Sequence, residues 1–152
     1  MGLIHGNNKA IELYNNADTE LSLDQYSLSL YVNGKTTIQS TLDLSGTLAA
    51  NSTFVIVNSS SNDALKEKAD LEHSVASFNG DDALVLMQGS TVVDSFGQRC
   101  VAPGSFWSEG AVQTQNKTLR RKDSITAGRT HLTQSSTQVK NGYSSIKMIL
   151  MD

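Results

Sequence analysis

Seven short runs of β-forming residues, each bounded by turn signals, limit what this chain can fold into. Residues 9–14 read KAIELY, with Ile11 and Leu13 on one face and Ala10, Glu12 and Tyr14 on the other. Residues 26–32 read YSLSLYV. Tyr26, Leu28, Leu30 and Val32 alternate there with Ser27 and Ser29, the pattern of a strand with one wet face. Residues 36–42 alternate less regularly. Residues 54–57 (FVIV) and 83–87 (ALVLM) are continuous apolar runs, short enough for strands buried on both faces. Residues 91–95 and 118–122 complete the set. Asn33-Gly34 and Gln88-Gly89-Ser90 favour tight hairpins, and Asn79-Gly80-Asp81-Asp82 makes a turn ahead of ALVLM. The only helical candidate, residues 62–70 (NDALKEKAD), is about two turns long and reads as a connector. Strands at these spacings predict an all-β sandwich, with an up-and-down barrel as the alternative.

The 152 residues suffice for one domain of ordinary size. Aromatics are only 6%, so the core rests on Leu, Val and Ile. The net charge of −3 argues against a surface that is basic all over, so nucleic acid would have to be met by a local patch. Cys100 is the single cysteine, which excludes an intramolecular disulfide, and His5, His73 and His131 are spread too widely for a Cys/His zinc site. No apolar run approaches the ~20 residues of a membrane-spanning helix. The first six residues lack the basic start and apolar stretch of a signal peptide, so a cytoplasmic location is expected for the chain as written.

The blocks now assembled resemble the lamin-tail domain family. Residues 8–15 (NKAIELYN) look like its opening signature, and residues 23–28 (LDQYSL) like its next strand. Residues 78–86 (FNGDDALVL) and 92–97 (VVDSFG) are similar to its central hairpin, and residues 118–122 (TLRRK) to its late basic strand. The ordered set covers roughly residues 7–126. It implies an immunoglobulin-like β-sandwich in which the strand ahead of KAIELY is lost or shortened, leaving an open sheet edge. The most similar bacterial modules lie in secreted nucleases, beside a separate catalytic domain. The resemblance therefore implies a secreted or cell-surface accessory role, with DNA or a nuclease catalytic domain as partner and no catalysis in the module.

Three segments are expected: a residual stretch at 1–6, the sandwich at 7–126, and an aberrant or disordered tail at 127–152 without strand period. Read one base out of frame, residues 135–142 can, with permitted codons, encode Phe-Asp-Pro-Ser-Glu-Glu-Trp, which is similar to the acidic continuation of the family. A frame change near Gly128 or Arg129 would make the chain a truncated product.

Few residues carry candidate chemistry. Lys117, Arg120, Arg121 and Lys122 form the one dense basic cluster. They suit phosphate contacts with DNA, or a solvated edge strand protected from aggregation. Strand alternation puts Arg120 and Lys122 on one face and Arg121 on the other, and Arg99 is a potential addition. Asp81 and Asp82 are a candidate Ca²⁺ or Mg²⁺ pair, or a turn whose carboxylates cap backbone N–H groups. Otherwise no cofactor is implied. Phe106 and Trp107 offer a base-stacking platform or a cover for the end of the core. Glu12 and Cys100 have no partner placed by spacing to complete a catalytic set.

The reading that follows is a non-catalytic binding or scaffolding module. Its rivals are a metal-dependent nuclease carried by this chain and a remnant without selected function. Plasmid cleavage with Mg²⁺ or Ca²⁺ that is lost in Asp82→Ala would select the nuclease.

Overall fold

The computed structural model describes residues 6–109, 112–120, 124, 127–130 and 146–151. Its strands in chain order are β1 (Ala10–Asn15), β2 (Leu21–Ser22), β3 (Tyr26–Tyr31), β4 (Ser40–Asp43), β5 (Thr47–Leu48), β6 (Thr53–Val57), β7 (Leu71–Glu72), β8 (Ala83–Gln88), β9 (Thr91–Phe96), β10 (Ser108–Glu109), β11 (Val112–Gln113), β12 (Thr118–Leu119) and β13 (Ile146–Met151). One sheet runs β12-β13-β1-β6-β7 and the other β4-β3-β8-β9, with small ribbons β2-β5 and β10-β11 beside them. The chain is an all-β, immunoglobulin-like sandwich, and the predicted fold class holds.

Period-2 alternation builds the core. Leu28 and Leu30 of β3 stand opposite Leu86 and Leu84 of β8, and Ile11 of β1 stands opposite Ile56 of β6. These six side chains are buried and meet Leu23, Val75 and Phe78 between the sheets. Each such burial is worth about 1.5–3 kcal/mol. FVIV and ALVLM occupy internal positions, β6 between β1 and β7 and β8 between β3 and β9. The helical candidate shrinks to α1 (Asp63–Lys66), capped by the Asn62 side chain, which accepts the Leu65 N–H at 3.0 Å.

Two expectations need correction. The wet face of YSLSLYV is in fact covered. Tyr31, Ala83 and Val85 form a second, smaller cluster there, with the Arg99 guanidinium 5.5 Å from the centre of the Tyr31 ring. Ser29 meets Thr41 across the β3–β4 pair at 3.2 Å. The edge beside β1 is not open either. β13 pairs with it antiparallel over all six residues, from Ala10 opposite Met151 to Asn15 opposite Ile146.

That strand comes from the tail, where no strand period is predicted. An unpaired β1 would leave a row of backbone donors and acceptors unmet, and an apolar run such as IKMILM can meet them. Packing also continues past residue 126. Ala127, Gly128 and Arg129 are buried, and the Arg129 N–H donates to the fully buried Asp94 carboxylate at 2.7 Å. The Ser95 hydroxyl donates to the Arg129 carbonyl at 3.0 Å, and the Arg129 guanidinium to the Gly97 carbonyl at 2.8 Å. Residues 131–145, which include the out-of-frame segment, lie outside the described residues.

Candidate functional site

Between Phe78 and the start of β8 the chain must turn from a buried aromatic into a central strand. Residues 79–82 do this around the Asp82 carboxylate, which is buried. Its Oδ2 accepts the Asn79 N–H at 2.8 Å, closing the turn on itself. Its Oδ1 accepts the Asn33 N–H at 3.0 Å, tying the turn to the loop after β3. Burial pushes the Asp82 carboxyl above its ordinary range, against the two N–H bonds that favour the ionised form, while the neighbouring Asp81 charge raises it further.

A second layer fixes this corner. The Trp107 indole N–H donates to the Asp82 carbonyl at 3.1 Å. The Trp107 backbone N–H reaches the Gly80 carbonyl at 3.2 Å, and the Thr114 hydroxyl donates to the same carbonyl. Lys9 is 5% exposed; its ammonium donates to the Phe78 carbonyl and, at 2.9 Å, to Asn79 Oδ1. Gly97 follows β9 at φ +67°, where a Cβ would lie 2.5 Å from the Asp82 carbonyl and 2.8 Å from the indole nitrogen. Only glycine fits there.

The cation-site candidates thus lie in a hydrogen-bonded turn, with both Asp82 oxygens already accepting backbone N–H groups. Among the described residues, no group of three or more His, Cys, Asp or Glu side chains gathers to hold a metal ion. Trp107 closes the corner with its edge and lines, with Phe78, Phe96, Leu84 and Leu119, a cavity of about 20 Å³. That volume admits a single water.

Of the basic cluster, Lys117 lines this cavity. Lys117 and Arg120 are both exposed and flank β12 at the rim of the five-stranded sheet. Arg121 and Lys122 lie outside the described residues. Leu119 packs against the core between the two cations and so fixes where they emerge. Arg99 is engaged with Tyr31.

The remaining candidates have structural surroundings. Glu12 is half-buried in β1, opposite Val55 of β6 and Ile149 of β13. Cys100 is exposed, at φ +69°. His73 caps a 3-10 turn, its Nδ1 accepting the Val75 N–H at 3.1 Å. His5 and His131 lie outside the described residues.

Sequence reasoning placed Asn79 in the turn but did not find Lys9, Asn33 or Thr114 as members of this corner. Lys9 carried one usable signal, a lysine at the entry of an apolar strand. Thr114 carried none, since its role depends on where Gly80 arrives.

Among the described residues no helix is long and apolar enough to cross a membrane. A family model of the lamin tail domain matches residues 4–100, almost two thirds of the chain. Searches among curated proteins and among solved structures found no match.

Proposed function

The chain belongs to the lamin tail domain family, whose members are non-catalytic immunoglobulin-like domains, and on that premise we propose that it is a polyanion-binding module that engages duplex DNA. The observation that carries this reading is the pair of exposed cations, Lys117 and Arg120, held at the sheet rim by Leu119. Arg121 and Lys122 extend the charge along the sequence. With a net charge of −3, such a local cluster is where phosphates would be attracted.

In this reading the module works outside the cell beside a separate nuclease domain, holding substrate near it and doing no chemistry itself. The resemblance of the ordered sequence blocks to such modules supports that placement. The Asp82 turn then serves as scaffold for the basic rim, since Lys117 and Phe78 line the same cavity.

The test is fluorescence anisotropy of labelled duplex DNA against the whole chain across a salt series, beside a Lys117→Ala/Arg120→Ala variant. Phosphate contacts predict a log–log salt slope of about −0.9 per contact, so the variant should lose up to about two units of slope. No binding at low salt by a chain that melts cooperatively would sink the proposal. So would binding that ignores both salt and the two substitutions.

A further inference from the structure

We propose that Lys9 and Asn79 form an intramolecular amide cross-link, a self-modification site at which the Lys9 amine displaces ammonia from the Asn79 side chain. The inference is independent of DNA binding, and the reaction happens once within the chain rather than on a substrate.

The contact between the two side chains carries the argument. Lys9 is 5% exposed, an uncommon place for an ammonium group. Its Nζ donates to the Phe78 carbonyl and lies 2.9 Å from Asn79 Oδ1, which is one bond from the carbon it would attack. It also sits 5.7 Å from the centre of the Phe78 ring, so an apolar wall backs the nucleophile. Both partners are held by their backbones. The Lys9 N–H donates to the Asn7 carbonyl at 2.9 Å, and the Lys9 carbonyl accepts the Asn58 N–H at 3.0 Å. The Asn79 N–H donates to Asp82 Oδ2 at 2.8 Å. Holding amine and amide at contact distance speeds an exchange that is otherwise very slow. Asn79 is exposed, which gives the released ammonia an exit.

Asp82 serves as the proton carrier. Its buried carboxylate lies in the same turn as Asn79. Burial holds that carboxyl above its ordinary range, while the Lys9 charge acts on it in the opposite sense, and a raised carboxyl suits a group that must take up and release a proton. Asp82 takes one proton from the Lys9 ammonium. The freed lone pair of Nζ attacks Asn79 Cγ. The Cγ–Nδ2 bond breaks as Asp82 passes its proton to Nδ2 and receives the second proton from Nζ. Ammonia then leaves as ammonium with that proton. One amide replaces another, and no oxidant, water or cofactor is consumed.

The product would tie the sandwich together. Lys9 leads into β1 of the five-stranded sheet, and Asn79 stands ahead of β8 in the four-stranded sheet. The bond would join the two sheets across 70 residues of sequence, restricting the unfolded chain as a disulfide closing a long loop does. With Cys100 alone, the chain has no internal disulfide for that purpose.

The mass of the whole chain is the test. Purified protein that melts cooperatively should fall short of its 16.4 kDa sequence mass by one ammonia molecule. Trypsin should release a single species that joins residues 1–35 to residues 69–99. Lys9→Met and Asn79→Ala should keep the full mass, and Asp82→Asn should cross-link about 10²-fold more slowly. A folded parent chain that stays at full mass after prolonged incubation would overturn the proposal. So would an ammonia loss that persists in Lys9→Met without the joined species, since that marks a succinimide at Asn79-Gly80. Cross-linking of Asp82→Asn at the parent rate would overturn the assignment of Asp82.

Discussion

At the corner formed by residues 79–82, an acidic side chain faces inward and is spent on the fold: both Asp82 oxygens accept backbone N–H groups, and the Trp107 indole covers its carbonyl. At residues 117–120, Lys117 and Arg120 face solvent on either side of a two-residue strand, Lys117 lining the same small cavity as Phe78 and Trp107. Both regions drew attention as charged clusters in the sequence. The difference lies in burial. A buried carboxylate must find donors or it destabilises the fold. An exposed cation costs little and stays available to a partner. If this contrast is right, damage at the corner should appear in stability and damage at the edge in binding.

The largest effect is expected from Gly97→Val. A β-branched residue at φ +67° carries about 1–2 kcal/mol of backbone strain, and its side chain would overlap the Asp82 carbonyl and the indole, adding about 1–3 kcal/mol. Urea denaturation should show a loss of roughly 3 kcal/mol. A variant as stable as the parent would mean that Trp107 is not packed on this corner.

Asp82→Ala comes next. It leaves the Asn33 and Asn79 N–H groups without their acceptor. Leaving buried groups unsatisfied costs about 1–3 kcal/mol, so a loss of about 2 kcal/mol is expected, with DNA affinity unchanged at temperatures where the variant is folded.

The same substitution gives a smaller effect that depends on pH. Burial raises the Asp82 carboxyl above its ordinary value, so the folded state holds that proton more tightly than the unfolded chain. The resulting stabilisation is fully present below the ordinary carboxylate range and is lost as pH rises through the raised value. The stability gap between the parent and Asp82→Ala should therefore widen as pH falls from 7 towards 4. A gap that narrows on acidification would mean that the two N–H bonds, and not burial, govern the group.

These features were unevenly legible in the sequence. The strands with strict alternation or continuous apolar runs were readable, because burial of Leu28 and Leu30 follows from period and that of Leu84 and Leu86 from an unbroken apolar run. The turn of Asn79 to Asp82 was readable as a turn, since short polar side chains and glycine announce it. Its partners were not. Lys9, Asn33 and Thr114 lie far from Asp82 in sequence, and only the packed sandwich brings them to it. The cover over Tyr31 was missed for the same reason, because Arg99 follows β9 and nothing local marks its landing place. β13 was missed because the period of the tail is weak, and its place is set by the unmet edge of β1.

The smallest stability change, and the sharpest test of the contrast, belongs to Lys117→Ala/Arg120→Ala. Among the described residues neither cation forms an ion pair or a hydrogen bond, and both are exposed, so unfolding free energy should move by less than about 0.5 kcal/mol. Removing the pair from a protein that is already acidic lowers the positive potential at the rim, and DNA affinity and its salt dependence should fall together. Denaturation and anisotropy on the same preparation separate the outcomes. Intact stability with lost binding places function at the edge. Lost stability would mean that Lys117, which lines the same cavity as Phe78 and Trp107, is part of the corner after all, and the two regions would have to be treated as one structural unit.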